Sequence, residues 1–260
     1  MSPAIPPAID EPMLVDDVDF FDPAVNDCPY RAYRSLRDDA PVWYDERLRG
    51  YVVTRHDDVL EVLRDSERFR SGPPPRRNPD GELHAEMMAD TFVGNSETTT
   101  NALSGGVRLL IENPDQWDRL KSDPEHYVPI LVEEVVRLES PLQRLMRHTA
   151  VDVEMHDVTI PAGSMVLVGY SAANRDDRVF EAPAHFDLDR SDARKHLSFG
   201  FGIHHCLGAP LARRELKFGF AALVERIDEM WFLDDTDLSI APNYFLRALR
   251  ELKIGFRPAD

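Results

Sequence analysis

Tyr30, Tyr33 and Leu36 recur at helical spacing among charged neighbours in residues 29–37, a stripe that predicts an amphipathic helix. Two short apolar runs follow, Pro41-Val42-Trp43-Tyr44 and Tyr51-Val52-Val53-Thr54. The charged turn between them closes on Gly50, which predicts paired strands. Val59, Leu60, Val62 and Leu63 then mark the inner face of a short helix reaching Arg64, with Asp57 or Asp58 as its cap. Pro73, Pro74, Pro75 and Pro79 interrupt this regularity, because proline lacks a backbone donor and fixes φ; a linker or deletion junction is predicted at 73–81. Beyond it, one helix is predicted over residues 82–112, stopping before Asn113-Pro114, and a second over 127–139, stopping before Ser140-Pro141. Short strands are predicted in 151–170 around the turn Pro161-Ala162-Gly163, an irregular stretch over 186–196, and a last helix over 211–227. The predicted organisation is a loose, acidic and Pro-rich arm (1–20), a helix-hairpin-helix part (21–72), the junction (73–81) and a C-terminal core (82–260).

Composition narrows the class. With 260 residues, 43% of them hydrophobic, the chain can bury a sizeable core as one large domain or two small ones. A formal net charge of −17 argues against nucleic acid or an anionic membrane surface as partner. Two cysteines provide no disulfide framework, which predicts a reducing, cytoplasmic setting. Asp10, Glu11, Asp16, Asp17 and Asp19 stand where a signal peptide or membrane anchor would be basic and apolar, so neither is expected.

The candidate chemistry centres on Cys206, within Phe199-Gly200-Phe201-Gly202-Ile203-His204-His205-Cys206-Leu207-Gly208. The glycines at 200, 202 and 208 let the backbone fold tightly around the sulfur and leave room for a flat macrocycle against it. The following segment, Ala209 to Leu216, reads as a helix whose N-terminal dipole favours the thiolate. A structural cysteine in a glycine-rich loop is the plainer reading. Zinc at His204-His205-Cys206 is another, weakened because structural zinc wants four spaced ligands and Cys28 is remote in sequence.

These ten residues resemble the cysteine loop of the cytochrome P-450 haem-thiolate monooxygenases, Phe-Gly-x-Gly-x-His/Arg-x-Cys-x-Gly. The resemblance extends over residues 20–72 and 82–257 with the motifs in family order. It implies haem b with Cys206 on the iron, framed by Phe199, Gly200 and Gly208, since a thiolate ligand favours O–O cleavage. Gly94, Glu97, Thr98 and Thr99 match the family's oxygen-binding helix, which bulges over the iron. There Glu97 is implied as the acid and Thr98 as the alcohol that deliver protons to dioxygen; Asn95 departs from the family's usual second glycine. Glu134 and Arg137 match the family's Glu-x-x-Arg pair, with Arg190 as a third member of a structural cluster. Arg147, His196 and His204 match positions that meet haem propionates through cation-to-carboxylate bonds.

The implied fold is mainly α with a small β-region. It is a shortened P-450 architecture lacking the segment from the B–C loop through the helices before the oxygen-binding helix. The implied activity is insertion of one oxygen atom from O2 into a small apolar organic substrate by a monomer. Electrons would come from NAD(P)H through a ferredoxin or flavoprotein docking on Arg194, Lys195, Arg213, Arg214 and Lys217. The alternative is an internally deleted, inactive haem-binding remnant.

Overall fold

The computed structural model describes residues 12–71 and 83–259, with side chains of 83–93 and 95 outside the description. The predicted junction and the first half of the predicted arm therefore lie outside the described residues. The second half of that arm is packed rather than loose. Val18 and Phe20 are buried against Tyr33, and Ser35 donates its hydroxyl hydrogen bond to the Met13 carbonyl at 2.6 Å. An apolar pair so close to an amphipathic helix has a surface to bury against, and burial outweighs the acidity of its neighbours.

Helices α1 (Pro23–Asp27) and α2 (Tyr30–Asp39) lead into strands β1 (Val42–Asp45) and β2 (Gly50–Val53), then α3 (His56–Arg64) and β3 (Phe69–Arg70). After the undescribed stretch come α4 (Leu83–Glu112), α5 (Pro114–Ser122) and α6 (Pro124–Glu139). Strands β4 (Arg144–Thr149), β5 (Val153–Met155), β6 (Val158–Ile160) and β7 (Met165–Gly169) precede the short α7 (Tyr170–Ala173). The chain closes with α8 (Ala209–Arg226), β8 (Ile227–Phe232) and β9 (Ile254–Pro258).

One five-stranded sheet has the order β1-β2-β7-β4-β3, with β2 and β7 parallel and its other pairings antiparallel. β5–β6 and β8–β9 form separate hairpins. The main helical core packs α4, α5, α6 and α8 around Leu110, Leu131, Val135 and Phe220. Gly105 and Gly106 permit this: a Cβ on Gly106 would lie 2.4 Å from the Phe220 ring and one on Gly105 2.6 Å from Glu139. A second core lies between the sheet, α3 and the β5–β6 hairpin, and a third joins the N-terminal segment to α7.

Three differences from the expected elements have simple causes. α6 begins at Pro124 because Asp123 accepts the His126 amide at 3.2 Å and proline suits the first turn. α5 was hidden between two Asx-Pro steps that read as breaks but in fact start helices. α3 is capped by neither Asp57 nor Asp58: its N-cap, Arg55, makes no side-chain cap bond, and Asp58 instead meets His156 at 2.7 Å.

Candidate active site

The cysteine loop is short of apolar support and rich in backbone constraint. Gly200 and Gly202 both sit at φ +69°, the left-handed region, and a Cβ on Gly202 would press to 3.0 Å of the Leu63 carbonyl. The Gly200 amide donates to Leu197 and the Cys206 amide to the Phe199 carbonyl, both at 2.8 Å, folding the loop back on itself before α8. Cys206 is exposed and unpaired by disulfide. Around it Leu207 is 97% and Ile203 79% exposed, an apolar surface flanking a free thiol. A Cβ on Gly208 would sit 3.7 Å from the sulfur.

Beneath the loop lies a buried polar network. Glu133 on α6 accepts from Arg213 Nε at 2.8 Å and Nη2 at 3.0 Å, and meets His196 Nε2 at 3.0 Å. The Ser198 amide donates to His196 Nδ1 at 3.2 Å. A nitrogen that accepts carries no proton, so His196 is the neutral tautomer donating through Nε2. Burial, strengthened by nearby Arg213 and Arg137, holds its imidazole below the usual range despite Glu133. Burial alone would raise Glu133, but hydrogen bonds from His196 and Arg213 outweigh it and bring the carboxyl down to about 2. The Arg213 guanidinium also lies 4.4 Å above the Phe199 ring.

Next along α6, Glu134 and Arg137 are fully buried and bidentate, at 2.7 and 2.8 Å, and Arg190 Nε reaches Glu134 at 3.1 Å. Arg137 also donates to the carbonyls of Asn174, Pro183 and His185, tying α6 to the connection that follows α7. The structure thus brings the three expected members together.

Arg147 on β4 is buried and donates to the Met146 carbonyl at 2.9 Å. Its charge acts on Tyr170, whose phenol burial raises and Arg147 pulls back. Tyr170 Oη lies 3.7 Å from where a Gly200 Cβ would be, so Arg147 and Tyr170 meet at the loop. His204 is exposed at the end of the turn Gly202–His204. His196 is buried, with its two ring nitrogens on Glu133 and the Ser198 amide. Arg213 leaves the expected basic surface for Glu133, while Arg194, Lys195, Arg214 and Lys217 remain exposed.

α4 carries Gly94, Glu97 and Thr98 without the expected bulge; it is α-helical throughout. The Thr98 hydroxyl donates to the Gly94 carbonyl at 2.6 Å and Thr100 to Ser96 at 2.8 Å, so side chains that disfavour a helix interior are satisfied by their own helix. Glu97 is exposed. Among the described residues no hydrogen bond or ion pair joins Glu97 or Thr98 to the cysteine loop, and no group of three or more His, Cys, Asp or Glu is placed to hold a metal. Among the described residues one surface groove runs along α3, where its lining residue Arg64 lies 5.0 Å over the Phe201 ring, and another of 310 Å³ lies beside Trp117 and Met230.

A family model described as Cytochrome P450 matches residues 44–229. The chain belongs to the cytochrome P450 family. The Steroid C26-monooxygenase of Mycobacterium tuberculosis (strain CDC 1551 / Oshkosh) is 34% identical over 226 residues, 85% of this chain and 59% of that protein. Cytochrome P450 107B1 of Saccharopolyspora erythraea is 37% identical over 198 residues, 75% of this chain and 46% of its own. The chain therefore spans about half the length of the curated cytochrome P450 relatives it matches. The solved cytochrome P450 CYP109Q5 from Chondromyces apiculatus shares the fold with a TM-score of 0.80 at 22% identity, covering 95% of this chain and 100% of that one. No helix among the described residues is long and apolar enough to cross a membrane.

A cytochrome P450 carries haem, and the residues here fit it: an exposed thiolate-capable sulfur, bare apolar Leu207 and Ile203, close-approach glycines, and the Arg147–Tyr170 pair beside them. Glu133 and Tyr170 were missed as site residues, and Arg213 was expected only on the docking surface. Glu133 sits beside the more conspicuous Glu134, and only its doubling, Glu-Glu on a helix facing a later Arg, hinted at it.

Proposed function

We propose that the chain is a haem-thiolate monooxygenase scaffold acting on a small apolar organic substrate, with Cys206 as the iron ligand. The observation that carries this is the exposed Cys206 sulfur in a loop shaped by two left-handed glycines and bordered by bare apolar side chains. When bound, haem supplies dioxygen activation, favoured by a thiolate ligand. Arg147 and Tyr170 would hold a cofactor carboxylate by hydrogen bonds, and His204 would add a third. Glu97 and Thr98 hold and pass protons at the carboxylate and Oγ1 on the α4 side. The apolar substrate class agrees with the steroid named in the M. tuberculosis relative. Electrons come from NAD(P)H through a ferredoxin or flavoprotein docking on Arg194, Lys195, Arg214 and Lys217, and the protein works as a cytoplasmic monomer.

A second reading is a remnant that holds haem weakly without turnover. It is favoured by the exposure of Glu97 and by a span of about half that of the relatives. One titration separates the two. Haem added to purified protein, then reduced under carbon monoxide, should give the red-shifted thiolate Soret band, lost in Cys206→Ala and kept in Cys28→Ala. Saturable shifts with apolar ligands and NAD(P)H-dependent product support the enzyme, and a band with neither supports the remnant. Identical behaviour of the two cysteine variants sinks the assignment of Cys206. In an active enzyme, Thr98→Ala should keep haem while uncoupling NAD(P)H use from product; unchanged coupling removes Thr98 from the proton path.

A further inference from the structure

We infer that Glu133 is the positioning residue for Cys206, a single buried carboxylate that ties the entrance of the cysteine loop to its exit. Its purpose rests on the haem-thiolate reading, but its geometry does not. Residues 201–207 are all exposed, and the loop rests on α3 only where Gly202 abuts Leu63 and Arg64 lies 5.0 Å over the Phe201 ring. The loop's own backbone bonds are few, Gly200 to Leu197 and Cys206 to Phe199 among them. Its two flanks supply the buried polar anchors. The upstream flank is His196-Leu197-Ser198-Phe199 and the downstream flank is the first turns of α8. Both arrive at one side chain: His196 Nε2 at 3.0 Å from Glu133 Oε2, and Arg213 Nε at 2.8 Å from Oε1 with Nη2 at 3.0 Å from Oε2.

The clamp reaches the cysteine in two more steps. Arg213, held by Glu133, covers the Phe199 ring at 4.4 Å, and the Phe199 carbonyl receives the Cys206 amide. His196, held at Nε2, orients Nδ1 to take the Ser198 amide, and the Ser198 hydroxyl donates to the Val136 carbonyl at 2.8 Å, one turn beyond Glu133 on α6. The rigid helix thus carries the reference point and the loop inherits it. Charge-assisted bonds suit the task because their direction is strict and a bidentate guanidinium cannot swivel.

The test is amide hydrogen exchange by mass spectrometry on the chain without added cofactor. Glu133→Gln should speed exchange of the 199–206 peptide about tenfold while the β8–β9 hairpin keeps its wild-type rate. Arg213→Ala, at a half-exposed site that tolerates truncation, should move the same peptide in the same direction, and Arg213→Lys should recover only part of the protection. Glu139→Gln, removing another buried acid from the same helix, should leave the loop at its wild-type rate. The proposal is overturned if Glu133→Gln and Arg213→Ala leave the loop unchanged, or if exchange rises equally in the hairpin. With haem added, Glu133→Gln should lower the fraction of the thiolate Soret band at equal haem content. A wild-type chain with no such band, whose loop still answers to Glu133, sinks the haem reading and keeps the clamp.

Discussion

Two sides of the site are built in opposite ways. Under the cysteine loop, Glu133, Glu134, Arg137 and His196 are buried and each is bound to residues distant in sequence. On α4, Gly94, Ser96, Glu97 and Thr100 are exposed, and the hydroxyls of Thr98 and Thr100 bond only four residues back along their own helix. The loop side takes its geometry from tertiary structure and holds it before any ligand arrives. The α4 side takes its geometry from local helix rules and depends on whatever covers it.

The largest effect should come from breaking the loop side. Arg137→Ala takes the bidentate partner from a fully buried Glu134, leaving it only Arg190 and the Asp187 amide, and strips three carbonyls of their donor, so it should cost about 3–5 kcal/mol in urea unfolding. A loss under about 1 kcal/mol would erase the contrast between the sides.

Acid should act on the same side. Glu133 sits at about 2 in the fold against an ordinary 4.5, a depressed carboxylate. Its contribution, on the order of 3 kcal/mol, is fully present above the unfolded value and disappears as pH falls from about 4.5 toward 2. His196, held below its ordinary 6.5 chiefly by burial, works in the same direction. The unfolded chain takes up that proton first, so stability starts to fall once pH drops below about 6.5. Urea midpoints at several pH values should show both slopes, and Glu133→Gln should flatten the lower one.

Paired glycine changes sharpen the comparison by sign. Gly200→Ala forces a side chain into φ +69° and should cost about 1 kcal/mol. Gly94→Ala meets nothing within 4 Å on a helix and should stabilise by about 0.5–1 kcal/mol. Equal signs would mean the two backbones are under similar constraint.

The smallest effect belongs to Thr98→Ala. Its hydroxyl serves only the Gly94 carbonyl of its own helix, so thermal unfolding should shift by no more than about 0.5 kcal/mol.

Much of this was legible in the sequence, for identifiable reasons. The cysteine loop and the Glu134–Arg137 pair are short local patterns, and a family resemblance picks them out. Helices α2, α3, α4 and α8 carry their own periodicity or stops. What escaped depends on contacts between distant segments. The pairing of Glu133 with Arg213 joins residues 80 apart, and each taken singly is an ordinary helical charge. His196 falls in an irregular stretch, where no period says which way a ring points. The β8–β9 hairpin joins segments separated by a long connection, and β8 begins where the last helix was expected to end. α5 was hidden because Asn113-Pro114 both ends one helix and starts another.

The five-stranded sheet places β2 in parallel against β7, Val53 beside Val168, although β1 and β2 are finished by residue 53. During synthesis the β1–β2 ribbon must therefore wait, with one edge of backbone donors and acceptors bare, until residue 169 has left the ribosome. An open edge is a template for other strands, and such long-range pairing is slow to close. Lowering the expression temperature should therefore raise the yield of soluble chain, measured as the share of the protein in the soluble lysate.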